Sequence, residues 1–172
     1  MEFDKRKHKV ILSLGTNLGD RNKNLSRVLI LLQNRVGDLL KQSSLFETQA
    51  WGSHDLLPFL NQVVSFSTAL SPKAVLRESQ HIEKLMGRSN QSKGGKNYQN
   101  RLIDIDILFY DDAVIKEEEL KIPHALLHKR NFVLVPLVEI EPNCFHPVLQ
   151  KTVKELLEQS SDFTEVKKYQ KL

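Results

Sequence analysis

The chain is nearly without cysteine. Cys144 stands alone among 172 residues, which excludes an internal disulfide and suits a reducing compartment. No apolar run approaches the roughly 20 residues that span a bilayer, and the N-terminus lacks the apolar segment of a secretory signal. A cytoplasmic chain with no membrane contact is therefore expected. Complete phosphate-loop fingerprints are also missing. Gly15-Thr16-Asn17-Leu18-Gly19-Asp20 has neither Gly-Lys-Ser/Thr nor a full Gly-x-Gly-x-x-Gly, so it reads as a turn. The Lys/Arg-Gly-Phe-x-Phe strand signature of one nucleic-acid-binding class is absent, which argues against a nucleic-acid partner. Excess charge is only +4. Much of it lies in Lys5-Arg6-Lys7-His8-Lys9 and in Lys167, Lys168 and Lys171, runs that are ordinarily solvated.

Repeats, low-complexity stretches and interdomain linkers are lacking as well. With 40% hydrophobic residues the chain has enough apolar material for one core. One domain over residues 1–172 is expected, with flexible ends at 1–8 and 168–172, acting as a stand-alone monomer.

What is present centres on residues 101–110, Arg-Leu-Ile-Asp-Ile-Asp-Ile-Leu-Phe-Tyr. From Ile103 to Phe109 the pattern alternates. Ile103, Ile105, Ile107 and Phe109 are expected on one face of a strand, and Asp104, Asp106 and Leu108 on the other. Asp104 and Asp106 then sit roughly 6–7 Å apart at Cα. Two carboxylates that close repel unless a cation lies between them, and hard oxygen ligands on a rigid strand suit Mg²⁺. Two solvated aspartates on an exposed strand face are the alternative. Immediately upstream, residues 88–101 are polar, cationic and without periodicity, and are expected to form a mobile loop. A basic loop beside two carboxylates is what a polyphosphate site needs.

Around this strand, Val10–Leu14 reads as a strand, and a helix capped by Asp20 follows with Leu25, Val28, Leu29, Leu32 and Val36 on one stripe and Gly37 at its end. Residues 39–48 and 59–70 read as strands. Ser71-Pro72 starts a helix that runs to about Met86 and closes at Gly87. A small hairpin is expected from Val114-Ile115 and Leu120–Ile122, and a short buried helix over 134–140. Thr152 with Glu155 makes a capping box for a last helix. Phe163–Tyr169 fits either an edge strand or a frayed tail. The order βαββαβ with additions predicts an α+β class, a ferredoxin-like plait whose antiparallel or mixed sheet is flanked by helices.

In this order and spacing, the segments 14–19 (Leu-Gly-Thr-Asn-Leu-Gly), 59–62 (Phe-Leu-Asn-Gln), 83–88 (Glu-Lys-Leu-Met-Gly-Arg), 101–108, 122–124 (Ile-Pro-His) and 130–137 (Arg-Asn-Phe-Val-Leu-Val-Pro-Leu) resemble the 6-hydroxymethyl-7,8-dihydropterin pyrophosphokinases of folate biosynthesis. The resemblance covers about Val10 to Leu157. It implies transfer of the diphosphoryl group of ATP to the hydroxymethyl oxygen of the reduced pterin, with AMP leaving. It also implies that Asp104 and Asp106 hold two Mg²⁺ ions. Arg88 and Arg101 fall on catalytic, phosphate-binding positions, and Glu83, Ile107, His124 and Arg130 on further ATP-binding ones. Phe59 and Phe132 match the aromatic sandwich around the pterin, Asn61 the residue that reads its edge, and Thr48, Gln49 and Trp51 the loop beside it.

Three departures from the family pattern stand out. The loop between Arg88 and Arg101 is longer, with Asn90 at a position usually arginine and Tyr98-Gln99-Asn100 replacing Trp-Gly-Pro; Lys93, Lys96 and Tyr98 are the residues available to compensate. Gln49-Ala50 replaces a proline, and Ala125 follows His124 where a tyrosine is common. A metal-dependent phosphohydrolase built on the same carboxylates would instead need a positioned water and a general base, for which His124 is the obvious nearby candidate.

Overall fold

The computed structural model describes residues 7–50, 56–87 and 100–170. The expectations for Trp51, for Arg88 and for the loop residues Asn90, Lys93, Lys96 and Tyr98 lie outside the described residues.

Chain order follows the expected plait. Strand β1 (His8–Thr16) leads through the glycine turn to helix α1 (Arg21–Arg35). Asp20 caps that helix by accepting from Lys23 N at 3.0 Å, and Leu25, Val28 and Leu32 are its buried stripe. At its end a Cβ on Gly37 would lie 2.0 Å from the Ser67 carbonyl oxygen, so only glycine fits there. Strand β2 (Asp38–Gln42) and strand β3 (Phe46–Thr48) follow. One continuous strand was expected here. It breaks at Ser43, whose N–H donates to Val63 O, whose Oγ accepts from Val63 N and whose carbonyl accepts from Gln62 Nε2. Those bonds satisfy the backbone where the ladder is interrupted.

Strand β4 (Phe59–Thr68) and helix α2 (Pro72–Leu85) come next. The start of α2 is as read: Ser71 Oγ accepts from Ala74 N, with Pro72 in the first turn. Strand β5 (Asp104–Tyr110) carries the two aspartates. The hairpin of β6 (Ile115–Lys116) and β7 (Lys121–Ile122) precedes a 3-10 turn at Leu127–Lys129 and helix α3 (Asn131–Ile140). Helix α3 begins earlier than its apolar run suggests, because Asn131 N donates to Asp162 Oδ2 at 2.7 Å, a partner 31 residues away. A hairpin of β8 (Phe145–His146) and β9 (Lys151–Thr152), unanticipated because each strand is two residues long, leads into α4 (Val153–Glu158). Its capping box is present: Glu155 Oε2 accepts from Thr152 N at 2.7 Å and Thr152 Oγ1 from Glu155 N at 3.3 Å. The last element is an edge strand, β10 (Val166–Lys168).

The main sheet runs β10-β3-β4-β1-β5, with β2 also on β4, and every pairing is antiparallel. Its two faces carry separate cores. Val10, Leu12 and Leu14 of β1 pack with Leu25, Val28, Leu32, Val75 and Ile82 of α1 and α2. Ile11 and Val63 pack on the other face with Val133, Leu134 and Leu137 of α3 and with Val153 and Leu156 of α4. Helices flank both faces, as expected for a plait with additions.

One expectation needs correction. Phe109 does not share a face with Ile103, Ile105 and Ile107. Ile107 pairs with Leu12 and Phe109 with Ile11, leaving Leu108 as the extra residue of a bulge. One extra residue reverses the side-chain phase, and Leu108 and Phe109 both join the core under α3. Among the described residues near the two ends, two long-range bonds are made. His8 opens β1 with Nδ1 2.7 Å from Asp111 Oδ2, and Tyr169 N donates to Leu45 O.

Candidate active site

The site lies where helices α3 and α4 stop covering the sheet. On that face the strands change chemistry along their length, from Ile11 to Ser13 and Gly15 on β1, from Val63 to Asn61 and Phe59 on β4, and from Leu108 to Asp106 and Asp104 on β5. Register places Asp106 opposite Ser13 and Asp104 opposite Gly15, and Gly15 opposite Asn61. The small residues of β1 thus form a floor between the carboxylates and the amide. A cavity of about 550 Å³ opens above it, within the size range of small-molecule sites.

One end of the cavity is charged. Arg101 Nη1 lies 3.0 Å from Asp104 Oδ2, and Arg130 stands close enough to Asp106 and His124 to influence the ionisation of each. Burial, with Asp104 beside it and Glu83 behind, pushes the Asp106 carboxyl up to about 7, although Arg130 and Arg101 pull the other way. His124 Nδ1 accepts from Leu126 N at 3.2 Å, which leaves the proton on Nε2 of a neutral ring. That Nε2 is 4.0 Å from Asp106 Oδ2. Burial and then the charge of Arg130 lower the His124 pKa to about 4, so at neutral pH it offers an uncharged N–H donor.

The other end is flat and amide-bearing. Phe59 and Phe132 both line the cavity with Asn61, Thr48 and Gln49. Asn61 is buried, and its Nδ2 donates to Thr48 Oγ1 at 2.9 Å and Phe46 O at 3.4 Å. This holds Oδ1 toward Gly15, at 3.5 Å from where a Cβ would stand. Arg130 Cζ lies 5.7 Å from the centroid of the Phe132 ring, linking the aromatic and cationic ends.

Glu83, Arg101, Asp104, Asp106, His124, Arg130, Thr48, Gln49, Phe59, Asn61 and Phe132, widely spaced in sequence, thus meet around one cavity. Ile107 does not line it. That residue faces an adjoining cavity of about 260 Å³ beside the β6–β7 hairpin, which shares Asp106 and His124 with the first. Ala50 and Ala125, two of the departures from the family pattern, line the main cavity.

Sequence reasoning missed Asn17. It is almost fully buried, and its Oδ1 accepts from Arg101 N at 2.6 Å while its N–H donates to Arg101 O at 3.0 Å. Its Nδ2 donates to Leu57 O and to Asn100 Oδ1. One side chain therefore ties the backbone of Arg101 to the end of the loop that precedes Phe59. The only local hint is an asparagine between two glycines in the turn after β1.

No helix among the described residues is long and apolar enough to cross a membrane. The family model for 7,8-dihydro-6-hydroxymethylpterin-pyrophosphokinase matches residues 11–142. A 2-amino-4-hydroxy-6-hydroxymethyldihydropteridine pyrophosphokinase of Porphyromonas gingivalis is 45% identical over 139 residues, 80% of this chain and 93% of that protein. Its Aquifex aeolicus counterpart is 41% identical over 146 residues, 85% of this chain and 88% of that one. Among solved structures, wild-type Plasmodium falciparum HPPK-DHPS with pteroate matches with a TM-score of 0.73 at 20% identity, covering 90% of this chain. This chain spans only 42% of the length of that one, and the likeness there is one of fold. With the family model and two relatives above 40% identity in agreement, the chain belongs to the 7,8-dihydro-6-hydroxymethylpterin pyrophosphokinase family.

Proposed function

We propose that the chain transfers the diphosphoryl group of ATP to the hydroxymethyl oxygen of 6-hydroxymethyl-7,8-dihydropterin, the step that prepares the pterin for folate assembly. The observation that carries this reading is the two-ended cavity, with a cation-flanked carboxylate pair at one end and two phenyl rings with a buried amide at the other. The pterin hydroxyl oxygen forms a bond to the β-phosphorus, the bond from that phosphorus to the α,β-bridging oxygen breaks, and AMP leaves with the electron pair. The hydroxyl proton passes to solvent water in the process.

Asp104 and Asp106 are suited to Mg²⁺. A carboxyl raised to about 7 by burial and by its acidic neighbour regains its charge when a cation sits between the two. Among the described residues no group of three or more His, Cys, Asp or Glu forms a closed metal cage, so most of the shell would fall to water and phosphate oxygens, as Mg²⁺ prefers. When bound, Mg²⁺ would offset polyphosphate charge; two ions are proposed.

Arg101 and Arg130 supply fixed positive charge for the phosphates. The neutral His124 donates from Nε2 without adding charge. Phe59 and Phe132 stack on the ring, an arrangement worth about 0.5–1.5 kcal/mol per aromatic pair beyond area burial, and Asn61 with Thr48 reads its edge. Proximity does the rest, since holding two reactants in line replaces a bimolecular encounter. A monomer is proposed as the working unit.

Product analysis with ATP, Mg²⁺ and 6-hydroxymethyl-7,8-dihydropterin tests the reading. AMP and pterin diphosphate are expected in equal amounts, with both lost in Asp104→Ala. ADP with free phosphate would refute it.

A further inference from the structure

We infer that the C-terminal segment from Asp162 to Tyr169 is a positioning strap that holds the two aromatic walls of the pterin subsite relative to one another. The inference rests on the reading above, in which Phe59 and Phe132 sandwich the ring. This segment lies beyond residues 11–142 matched by the family model, so its part in the site is not implied by that match.

At one end the strap grips the Phe132 wall. Asp162 Oδ2 accepts from Asn131 N at 2.7 Å and its carbonyl accepts from Asn131 Nδ2 at 2.6 Å. Asn131 is the first residue of α3 and the neighbour of Phe132. Asp162 is itself held, because Oδ1 accepts from Thr164 N and from Thr164 Oγ1.

Along its length the strap backs the opposite wall. Strand β10 pairs with β3, Val166 opposite Thr48, and β3 pairs with β4, Thr48 opposite Phe59. Tyr169 then closes the far end. Its N–H donates to Leu45 O, and its hydroxyl accepts from Asn22 Nδ2 at 3.2 Å. Arg21 Cζ lies 5.7 Å from the centroid of its ring. The same guanidinium reaches Glu47 Oε2 at 2.6 Å and Pro58 O at 2.9 Å. Arg21 therefore joins strand β3, at Glu47, and the residue before Phe59, Pro58, to the strap.

These contacts form a continuous chain from Phe132 through Asn131, Asp162, β10 and Tyr169 to Arg21, Pro58 and Phe59. None involves the carboxylates, Arg101 or His124. Loosening the strap should therefore weaken the flat-ring end and spare the nucleotide end. Two short aromatic contacts depend on wall spacing, whereas Asp104 and Asp106 stand on β5 with Arg101 just before it, and of the phosphate-facing groups only Arg130, next to Asn131, adjoins the strap.

The test uses the full chain with Asp162→Ala, Arg21→Met and Tyr169→Ala, and with Tyr169→Phe as the conservative control that keeps the ring under Arg21. KM for the pterin and for ATP is measured separately from AMP release, pterin affinity is read directly from its fluorescence, and Tm reports folding. Loss of the strap contacts is expected to raise the pterin KM about tenfold or more while the ATP KM stays within about twofold. Tyr169→Phe should remain within about twofold of wild type. If Tm falls while the pterin KM is unchanged, or if both KM values rise together, the strap is a stability element and the inference is wrong. Should Asp162→Ala not fold, Tyr169→Ala decides the question from the other end. Wild-type protein that neither binds pterin nor forms AMP would overturn the reading of the site itself, and the strap with it.

Discussion

Glu83 Oε1 accepts a hydrogen bond from the backbone N–H of Ile105 at 2.9 Å, the one residue between Asp104 and Asp106. Strand β5 is the edge of the main sheet, and its outward N–H would otherwise lack a strand partner. Buried on α2, Glu83 therefore fixes the backbone that carries both carboxylates, and its charge also helps raise the Asp106 pKa.

Glu83 can be dissected by two substitutions. Glu83→Gln keeps an oxygen for Ile105 N and removes the charge, so stability should stay near wild type while the Asp106 pKa falls. Glu83→Ala removes both and leaves the Ile105 N–H unpaired, at a cost of about 1–3 kcal/mol. Carbonyl-carbon NMR titration of Asp106 and urea unfolding measure the two effects. Equal destabilisation by Gln and Ala would show that the hydrogen bond is not what matters.

Asn17→Ala should affect folding and nucleotide binding together. It removes the partner of Arg101 N and the donor to Leu57 O and Asn100, and strands part-buried polar groups. A loss of about 2–3 kcal/mol is expected in urea unfolding. Because Arg101 loses its anchor, ATP affinity measured by calorimetry should fall as well. Unchanged ATP affinity in a destabilised variant would separate Asn17 from the site.

Asp20, Ser71-Pro72 and Thr152 with Glu155 were legible in the sequence because each cap acts within three residues. The Asp104-Ile105-Asp106 spacing was legible for the same reason, since a period of two is a local property. Leu108 was not. Its bulge is set by pairing with β1, a partner about a hundred residues away, and Phe109 consequently faces the other core. Ser43 breaks its strand only because Gln62 and Val63 are there to satisfy it. Among site residues, Asn17 escaped notice because its partners stand 40, 83 and 84 residues away. Asp162 likewise reaches the start of α3 across 31 residues. Local chemistry was readable; long-range hydrogen bonds between polar side chains and backbone were not.

Metal-free protein should become more stable when Asp106 is neutralised. An unfolded aspartate titrates near 3.8, whereas Asp106 in the fold titrates near 7. Between those values the unfolded chain gives up a proton that the folded chain keeps, so this group costs stability as pH rises, and the full cost is present above 7. The side chain is 38% exposed, so solvent screening reduces the cost to about 1–2 kcal/mol. Asp106→Asn should recover that amount at pH 8 without Mg²⁺, as a higher Tm, and nothing at pH 3.5. Activity should be lost at the same time. A variant no more stable than wild type at pH 8 would show that Asp106 is not desolvated as its surroundings require.

His124 acts with the opposite sign over an overlapping range. Its pKa is lowered from 6.5 to about 4, so its contribution is present above 6.5 and is lost as pH falls toward 4, where a proton must be forced onto a buried ring beside Arg130. Asp106 recovers stability over the same descent. The two slopes oppose each other between pH 6.5 and 4, on top of a loss on acidification from His128 and His146, whose pKa values burial also lowers. His124→Gln removes the His124 loss, so relative to wild type this variant should gain stability on acidification through that window. Asp106→Asn leaves the His124 slope, and that variant should lose about 2–3 kcal/mol over the same interval. Urea unfolding at half-unit pH steps distinguishes the profiles. Parallel profiles for the two variants would mean that the Asp106 and His124 shifts do not act on stability with opposite sign.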